Sequence, residues 1–182
     1  FIGTNFLKYA KKKRHKKLMV VMDSLTYAAN YDELQDEVYH HPKIKFTNVD
    51  LRDSRYVEAT FEKYGITHVM HFAAETNIGE TQSFIETNVL GTANLLHASK
   101  KYNVQRFHHV SAASVFGCQP DKKKEKFTED SPYAPRGPYS ASKASADHLV
   151  KSYHRAYELP VTVSYSASNY GPWQGEDKLI PK

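Results

Sequence analysis

The sequence has little cysteine and no long apolar run, and each absence excludes a class of protein. Its 182 residues include one cysteine, Cys118, which can neither form an internal disulfide nor build a cysteine zinc site. No stretch approaches the roughly 18 uninterrupted apolar residues of a transmembrane helix. The N-terminal residues also lack the basic-then-apolar order of a secretion signal. These features predict a soluble, cytoplasmic protein that does not associate with membranes.

Positive charges only slightly outnumber negative ones, and the net charge is +5. Much of that excess lies in two runs, KKKRHKK at 11–17 and KKKEK at 122–126. Neither run is interleaved with aromatic residues or set in a nucleic-acid motif, so we interpret them as a solvated helix end and a solvated loop. None of the ten histidines shows the i, i+4 spacing with a carboxylate that a helical zinc site uses. The sequence therefore predicts neither a nucleic-acid partner nor a metal site.

Short β-branched runs alternate with longer helical patterns along the chain. The first strand, LMVVM, is continuously apolar and is expected to be buried on both faces. Strands separated by helices indicate βαβ crossovers, and hence a doubly wound parallel α/β sheet of the NAD(P)-binding Rossmann-like kind. Such sheets bind ligands beyond the carboxyl ends of their strands. The predicted strands are 18–22, 44–49, 68–72, 106–110 and 159–165, and the main helices are 53–64, 82–101 and 138–157.

Acidic residues follow the first two predicted strands. Asp23 stands 20 residues after Gly3, and an acidic residue about 20 residues past a glycine loop binds the adenosine ribose in dinucleotide folds. Ser24 follows it where an NADP site would offer Arg or Lys, so NAD is favoured. A turn at the strand end would explain Asp23 equally well. Asp50 with Leu51 could hold adenine, or Asp50 could cap the next helix.

The pair Tyr139 and Lys143 is the strongest single feature. Positions i and i+4 share a face of a helix, so the two side chains should point into the same space. A lysine ammonium beside a phenol lowers the phenol pKa, which makes tyrosine a usable base at neutral pH. A tyrosine followed four residues later by a lysine is common by chance. What distinguishes Tyr139 and Lys143 is that the pair begins in the first turn of a long helix.

Several segments along the chain together resemble the extended short-chain dehydrogenase/reductase family, and within it the dTDP-glucose 4,6-dehydratase branch. The resemblance covers nearly the whole chain. The segments that carry it are FIGTNF from Phe1, DSLTYAAN from Asp23, DLRD from Asp50, HFAAE from His71, FIETNVLGT from Phe84, RFHHVS from Arg106, PYSASKASADHLVKSYHRAYELPVT from Pro138 and SNYGPWQGEDKLIP from Ser168.

The resemblance implies NAD as cofactor and a nucleotide sugar, a dTDP- or UDP-hexose, as substrate. It implies a homodimer formed through the two long helices, 82–101 and 138–157. Tyr139 and Lys143 would be the base and its partner, and they would also touch the cofactor. The other implied cofactor residues are Phe1, Ile2, Gly3, Asp23, Ser24, Leu25, Thr26, Asp50, Leu51, Phe72, Ala73, Ala74 and Thr87. The implied substrate residues are Thr76, Ser168, Asn169, Lys178 and Leu179.

The sequence departs from the family pattern where the chemistry occurs. The family usually reads Ser-Thr-Asp-Glu-Val-Tyr-Gly where this chain reads SAASVFG. Ala112 replaces the hydroxyl that binds the sugar 4-oxygen, while Ala113 and Ser114 replace the acid and base of elimination. Losing one acid–base group typically costs about 100- to 10,000-fold in rate. The sequence therefore predicts that elimination is impaired more than hydride transfer.

Three functions remain open on the sequence. The chain could be an NAD-dependent lyase of the dehydratase type, an inactive relative that binds a nucleotide sugar or a protein partner, or an epimerase or reductase of the same family. Ala112 disfavours the last, since those enzymes also need the hydroxyl. The glycines and first strand that normally precede Phe1 are absent from the sequence. We therefore expect one incomplete Rossmann-like domain over 1–182, with 168–182 leading toward a missing substrate domain.

Overall fold

The computed structural model describes residues 1–13, 17–29, 32, 34–35, 38, 41–76, 81–118, 126–175 and 180. The chain divides into two compact units, one formed by Phe1–Asp50 with Ser168–Lys182 and the other by Leu51–Ala167. We refer to them as the first unit and the second unit. Among the described residues no helix is long and apolar enough to cross a membrane.

The first unit contains helix α1 (Ile2–Lys12) and a parallel pair of strands, β1 (Met19–Asp23) and β2 (Ile44–Asn48). All five residues of β1 are only half-buried, so the prediction of a strand buried on both faces is wrong. Among the described residues β1 pairs with β2 alone, and an apolar run does not by itself reveal how many faces are covered.

The C-terminal segment of the first unit packs against α1. The Asn5 side-chain amide donates to the carbonyl of Pro172 at 3.0 Å. The Lys8 ammonium lies 3.3 Å from the centre of the Trp173 ring, a cation–π contact. These contacts join residues that are far apart in sequence, and no local pattern predicts them.

The second unit contains a three-stranded parallel sheet in the order β3 (His68–His71), β4 (Arg106–Ala112) and β5 (Val161–Ser166). This confirms the βαβ arrangement that the alternating pattern predicts. Helix α2 (Ser54–Tyr64) precedes β3, and Asp53 caps it by accepting a hydrogen bond from the Arg55 amide at 3.0 Å. The strand bounds differ from the predicted ones by up to two residues, and β4 runs on to include Ala112.

The helical region after β3 differs from the single regular helix that was predicted over 82–101. It consists of α3 (Thr81–Phe84), a π-helix (Ile85–Gly91) and α4 (Thr92–Lys101). A π-turn bonds i to i+5 and so holds one residue more than an α-turn. The extra residue shifts the buried face, which is why Phe84 and Leu96 are buried while Ile85, expected on the same face, is 59% exposed.

Helix α5 (Pro138–Tyr157) has the predicted bounds, with proline in its first turn. It ends where Glu158 adopts a left-handed conformation, with φ 57°. The helix packs against β4, β5, the π-helix and α4. Its buried positions bring polar groups as well as apolar ones inside the second unit. The fully buried apolar side chains around it include Leu96, Phe107, Val115, Ala146 and Val150.

Candidate active site

The first turns of α5 place Tyr139 and Lys143 beside strand β4. Tyr139 is half-buried, and its ring meets Phe84 edge-on with centroids 5.8 Å apart. Within the described part of the chain its hydroxyl makes no hydrogen bond. Lys143 is 3% exposed, and its Nζ donates to the carbonyl of Val110 at 2.8 Å. A lysine ammonium has three N–H groups, so this single acceptor leaves donors available inside the protein.

Burial controls the protonation of both groups. Desolvation lowers the pKa of Lys143 to about 8, while the nearby Asp147 carboxylate acts in the opposite direction. Desolvation raises the pKa of Tyr139 above its ordinary value. That Lys143 lowers the pKa of Tyr139 stays a prediction. In the chain alone the Lys143 ammonium is held at the Val110 carbonyl, and burial sets the direction of the Tyr139 shift.

The segment that follows β4 carries the departures from the family pattern. Ala112 is the last residue of the strand, and Ala113 and Ser114 begin a 3₁₀ helix (Ala113–Phe116). Ser114 Oγ is buried and has no hydrogen-bond partner among the described residues. Serine is a poor base without a neighbouring base to activate it. The segment from Ala112 to Ser114 therefore offers one hydroxyl and no group that activates it among the described residues.

Gly117 closes this 3₁₀ turn against the loop that leads to α5. Its φ is 89°, and an added Cβ would lie 2.5 Å from the carbonyl oxygen of Ala134. The same loop bonds back to the turn, because the Ala134 amide donates to the Val115 carbonyl at 3.0 Å. Only a residue without a side chain fits this position.

We expect Gly117→Ala to lower the free energy of unfolding by about 1–3 kcal/mol, through backbone strain and the clash with Ala134. Gly137→Ala is the matched control, since a Cβ there meets no heavy atom within 4 Å. Urea denaturation of both variants measures the difference. Equal losses in the two variants would contradict the assignment of a special role to Gly117.

Asn88, which the sequence did not single out, fixes the loop after β3. Its Oδ1 accepts from the Glu75 amide at 2.7 Å. Its Nδ2 donates to the Glu75 carbonyl at 3.1 Å and to Ser142 Oγ at 3.0 Å. Ser142 Oγ in turn donates to the Tyr139 carbonyl at 2.7 Å. A buried amide on the π-helix thus ties this loop to the first turn of α5.

The residues predicted on the nicotinamide side lie in and beside that loop. Phe72 and Ala74 are half-buried, and Ala73 and Thr76 are exposed. The backbone of Thr76 donates to its neighbour Glu75 at 2.7 Å. Thr87 is half-buried on the π-helix next to Asn88. The second unit therefore brings these residues and the Tyr139 turn together through Asn88 and Ser142.

The first unit holds the residues predicted at the adenosine ribose. Asp23 ends β1, and its Oδ1 accepts from the Leu25 amide at 2.8 Å. Leu25 has φ 52°, so the turn that the sequence left as an alternative is present. Ser24 and Thr26 are exposed on that turn. Asp23 Oδ2 has no hydrogen bond within the described residues, which leaves an acceptor at the strand end.

The remaining predicted positions are more scattered. Phe1 and Gly3 stand at the start of α1 with Ile2, and all three are half-buried. Asp50 is half-buried in the first unit, whereas Leu51 is 8% exposed in the second. Of the predicted substrate residues, Ser168 and Asn169 are exposed in the first unit, and Lys178 and Leu179 lie outside the described residues.

Comparison with known proteins gives the same family for the whole chain. The family model described as GDP-mannose 4,6 dehydratase matches residues 1–182. A dTDP-glucose 4,6-dehydratase of Haemophilus influenzae is 41% identical over 194 aligned residues, which cover 100% of this chain and 56% of the relative. The chain thus spans little more than half the length of the curated relatives it matches.

Solved structures give matching folds. The dTDP-glucose 4,6-dehydratase DesIV of Streptomyces venezuelae, with NAD and TYD bound, superposes with a TM-score of 0.92 at 36% identity and covers 100% of this chain and 57% of its own. The UDP-glucose 4-epimerase of Thermus thermophilus, in complex with NAD, gives 0.80 at 29% identity, covering 97% and 55%.

The fold is the parallel α/β Rossmann-like fold of NAD-bound dehydratases and epimerases, as predicted. The chain belongs to the family described as GDP-mannose 4,6 dehydratase.

Proposed function

We propose that the chain is the cofactor-binding and proton-transfer part of an NAD-dependent enzyme of the dTDP-glucose 4,6-dehydratase type. The observation that carries the proposal is the buried Lys143 ammonium, one helical turn from Tyr139, whose one acceptor among the described residues is the Val110 carbonyl. Two N–H groups without acceptors inside a protein are costly unless a ligand accepts from them. The hydroxyls of a nicotinamide ribose are acceptors of the required kind.

The residues on the adenosine side also suit NAD. Asp23 offers a carboxylate oxygen at the end of β1, where a ribose hydroxyl can donate to it. Ser24, the next residue, is small, exposed and uncharged, so its side chain does not favour a 2′-phosphate. Held by these residues, NAD would supply the hydride-accepting chemistry of the reaction.

Tyr139 has the proton-transfer role in this proposal. Its hydroxyl is free to reach a sugar hydroxyl, because it bonds to no group in the described chain. Alone, the phenol stays protonated at neutral pH and so cannot accept a proton, since burial raises its pKa. Lys143, largely protonated at pH 7 with a pKa of about 8, supplies positive charge on the same helical face. Asn88 and Ser142 position the turn that carries Tyr139.

The elimination step has no such support. Alanine at 112 and 113 provides no proton, and Ser114 has no partner among the described residues that would activate its hydroxyl. This observation favours a second candidate function, a relative that binds NAD and a nucleotide sugar without dehydrating it. In either case Thr76, Ser168, Asn169, Lys178 and Leu179 are our proposed contacts to a dTDP- or UDP-hexose.

We expect Asp23→Asn to weaken NAD binding about 10-fold or more, because a charged acceptor for the ribose is lost. Isothermal titration calorimetry with NAD tests this, with Asp130→Asn as a control at an exposed turn position. Unchanged affinity in the Asp23 variant would refute the adenosine-side assignment. No heat of NAD binding to the unmodified chain would refute the proposed function itself.

We also propose that two copies of the chain associate through the long helices. Ile85 and Leu90 on the π-helix are 59% and 46% exposed, and Tyr157 at the end of α5 is 50% exposed. Exposed apolar side chains on neighbouring helices suit an interface.

Ile85→Asp with Leu90→Asp should convert a dimer to monomers, since a carboxylate is costly to bury in an apolar interface. Sedimentation velocity measures the change. Tyr56→Asp, at a 62% exposed position on α2, should leave the assembly state as it is. A monomer before any substitution, or a dimer that survives the double change, would refute this interface.

A further inference from the structure

Asp147 lies at the centre of a buried polar cluster that the proposed reaction does not use. It is on α5, four residues after Lys143, and it is 0% exposed. Ser111 Oγ donates to its Oδ2 at 2.7 Å, and the Tyr133 hydroxyl donates to the same oxygen at 2.9 Å. His109 Nε2 lies 3.2 Å from Oδ1, without the geometry of a hydrogen bond.

The hydrogen bonds around Tyr133 have a fixed direction. Its hydroxyl gives its one proton to Asp147, and it accepts from the Lys151 ammonium at 2.9 Å. The Tyr165 hydroxyl, 2.7 Å away, must therefore be a donor to Tyr133. Burial and these partners raise the pKa of Tyr133, so it remains a protonated donor. Asp147 consequently receives two hydroxyl protons at one oxygen.

Burial disfavours the charged form of the two histidines beside this cluster. Desolvation lowers the pKa of His109 despite the nearby Asp147, and it lowers that of His71 further below its ordinary value. The proximity of Lys143 lowers both as well. Among the described residues, Lys143 is a buried cation that interacts electrostatically with Asp147, and the Lys151 ammonium bonds to the Tyr133 hydroxyl beside it.

We propose that Asp147 is a positioning residue, whose clamped carboxylate keeps the Lys143 side chain charged and directed along the Tyr139 face of α5. The proposal rests on the function given above for Lys143. The i, i+4 spacing places the two groups on one face, and both are almost fully buried. Ser111 and Tyr133 restrain the carboxylate, so it can act as a fixed counter-charge where water does not reach.

A purely structural role would require only the hydrogen bonds of Asp147. Asparagine retains an acceptor oxygen for Ser111 and Tyr133 but removes the charge. Glutamate retains the negative charge but places the carboxylate one methylene farther from the backbone. Tyr133→Phe removes one of the clamping hydroxyls and leaves the charge in place. These three variants therefore separate the charge of Asp147 from its hydrogen bonds.

The experiment is an NMR titration of the chain labelled with ¹³C at lysine Cε, with Lys143→Met identifying the signal. In the unmodified protein Lys143 should be an ammonium at pH 7. In Asp147→Asn its titration should move down by about one pH unit or more, as expected on losing an opposite charge nearby. Asp147→Glu and Tyr133→Phe should keep most of the original titration.

The proposal is overturned if Asp147→Asn, folded by its amide spectrum, leaves the Lys143 titration unchanged. It is also overturned if Lys143 is neutral at pH 7 in the unmodified protein, a result that needs no variant to fold. The readout uses neither cofactor nor sugar. A chain without NAD binding but with the expected titrations would refute the proposed function and leave the Asp147–Lys143 coupling intact.

Discussion

Replacing Tyr139 by phenylalanine is expected to slow hydride transfer to NAD by about 100- to 10,000-fold, the usual effect of removing a proton-transfer group. The ring contact with Phe84 does not involve the hydroxyl and should persist, so the turn should keep its shape. NAD affinity should change little, because the proposed ribose donors belong to Lys143. The loss should thus fall on the chemical step rather than on binding.

The measurement is single-turnover formation of NADH, followed by its near-ultraviolet absorbance, after mixing with dTDP-glucose. The protein is expressed from its complete reading frame. Tyr56→Phe is the matched control, because Tyr56 is 62% exposed on α2 and its hydroxyl makes no hydrogen bond among the described residues. Equal NADH formation in the Tyr139 variant and the unmodified protein would show that another group removes the sugar proton.

Placing an acid and a base directly after β4 should raise a reaction rate, whereas Tyr139→Phe should lower one. We expect Ala113→Asp combined with Ser114→Glu to raise the rate of dehydration by about 100-fold or more, since each acid–base group contributes about 100- to 10,000-fold. Ala112→Thr added to the pair should help to hold the sugar 4-oxygen. The unmodified protein should form little dehydrated product, because its alanines hold no proton to transfer.

The alkaline absorbance of the 4-keto product measures this gain. Ala113→Asn with Ser114→Gln is the matched control, since the amides have nearly the size of the acids but transfer no proton. A product yield from the amide pair equal to that from the acid pair would remove acid–base chemistry as the reason. Robust product from the unmodified protein would show that elimination proceeds through groups outside 112–114.

The sequence predicts the parts of the fold that depend on local pattern. Apolar runs locate the five strands within a few residues, and proline at 138 marks the start of α5. The π-helix is not predicted, because the amphipathic pattern of 82–101 is compatible with regular α-turns. The half-exposed β1 is missed for a similar reason, since residue type indicates a preference for burial and not the neighbours that provide it.

Only part of the candidate site can likewise be predicted from the sequence. The Tyr-x₃-Lys spacing predicts two side chains on one helical face, but not that Lys143 would be held at the Val110 carbonyl. The bonds of Asn88 reach residues 13 and 54 positions away. Asp147 meets Ser111 across 36 positions. Such contacts arise only when the sheet and helices are assembled, so a reading of local spacing does not reveal them.

The π-helix rotates the residues before it about the helix axis relative to the residues after it. Successive residues of an α-helix advance by about 100°, so a turn with one additional residue offsets everything before it from everything after it. Phe84, ahead of the offset, meets the Tyr139 ring, whereas α4, beyond it, packs against α2 and α5. One stretch of chain can therefore place Phe84 against the Tyr139 ring and still turn the buried residues of α4 toward α2 and α5.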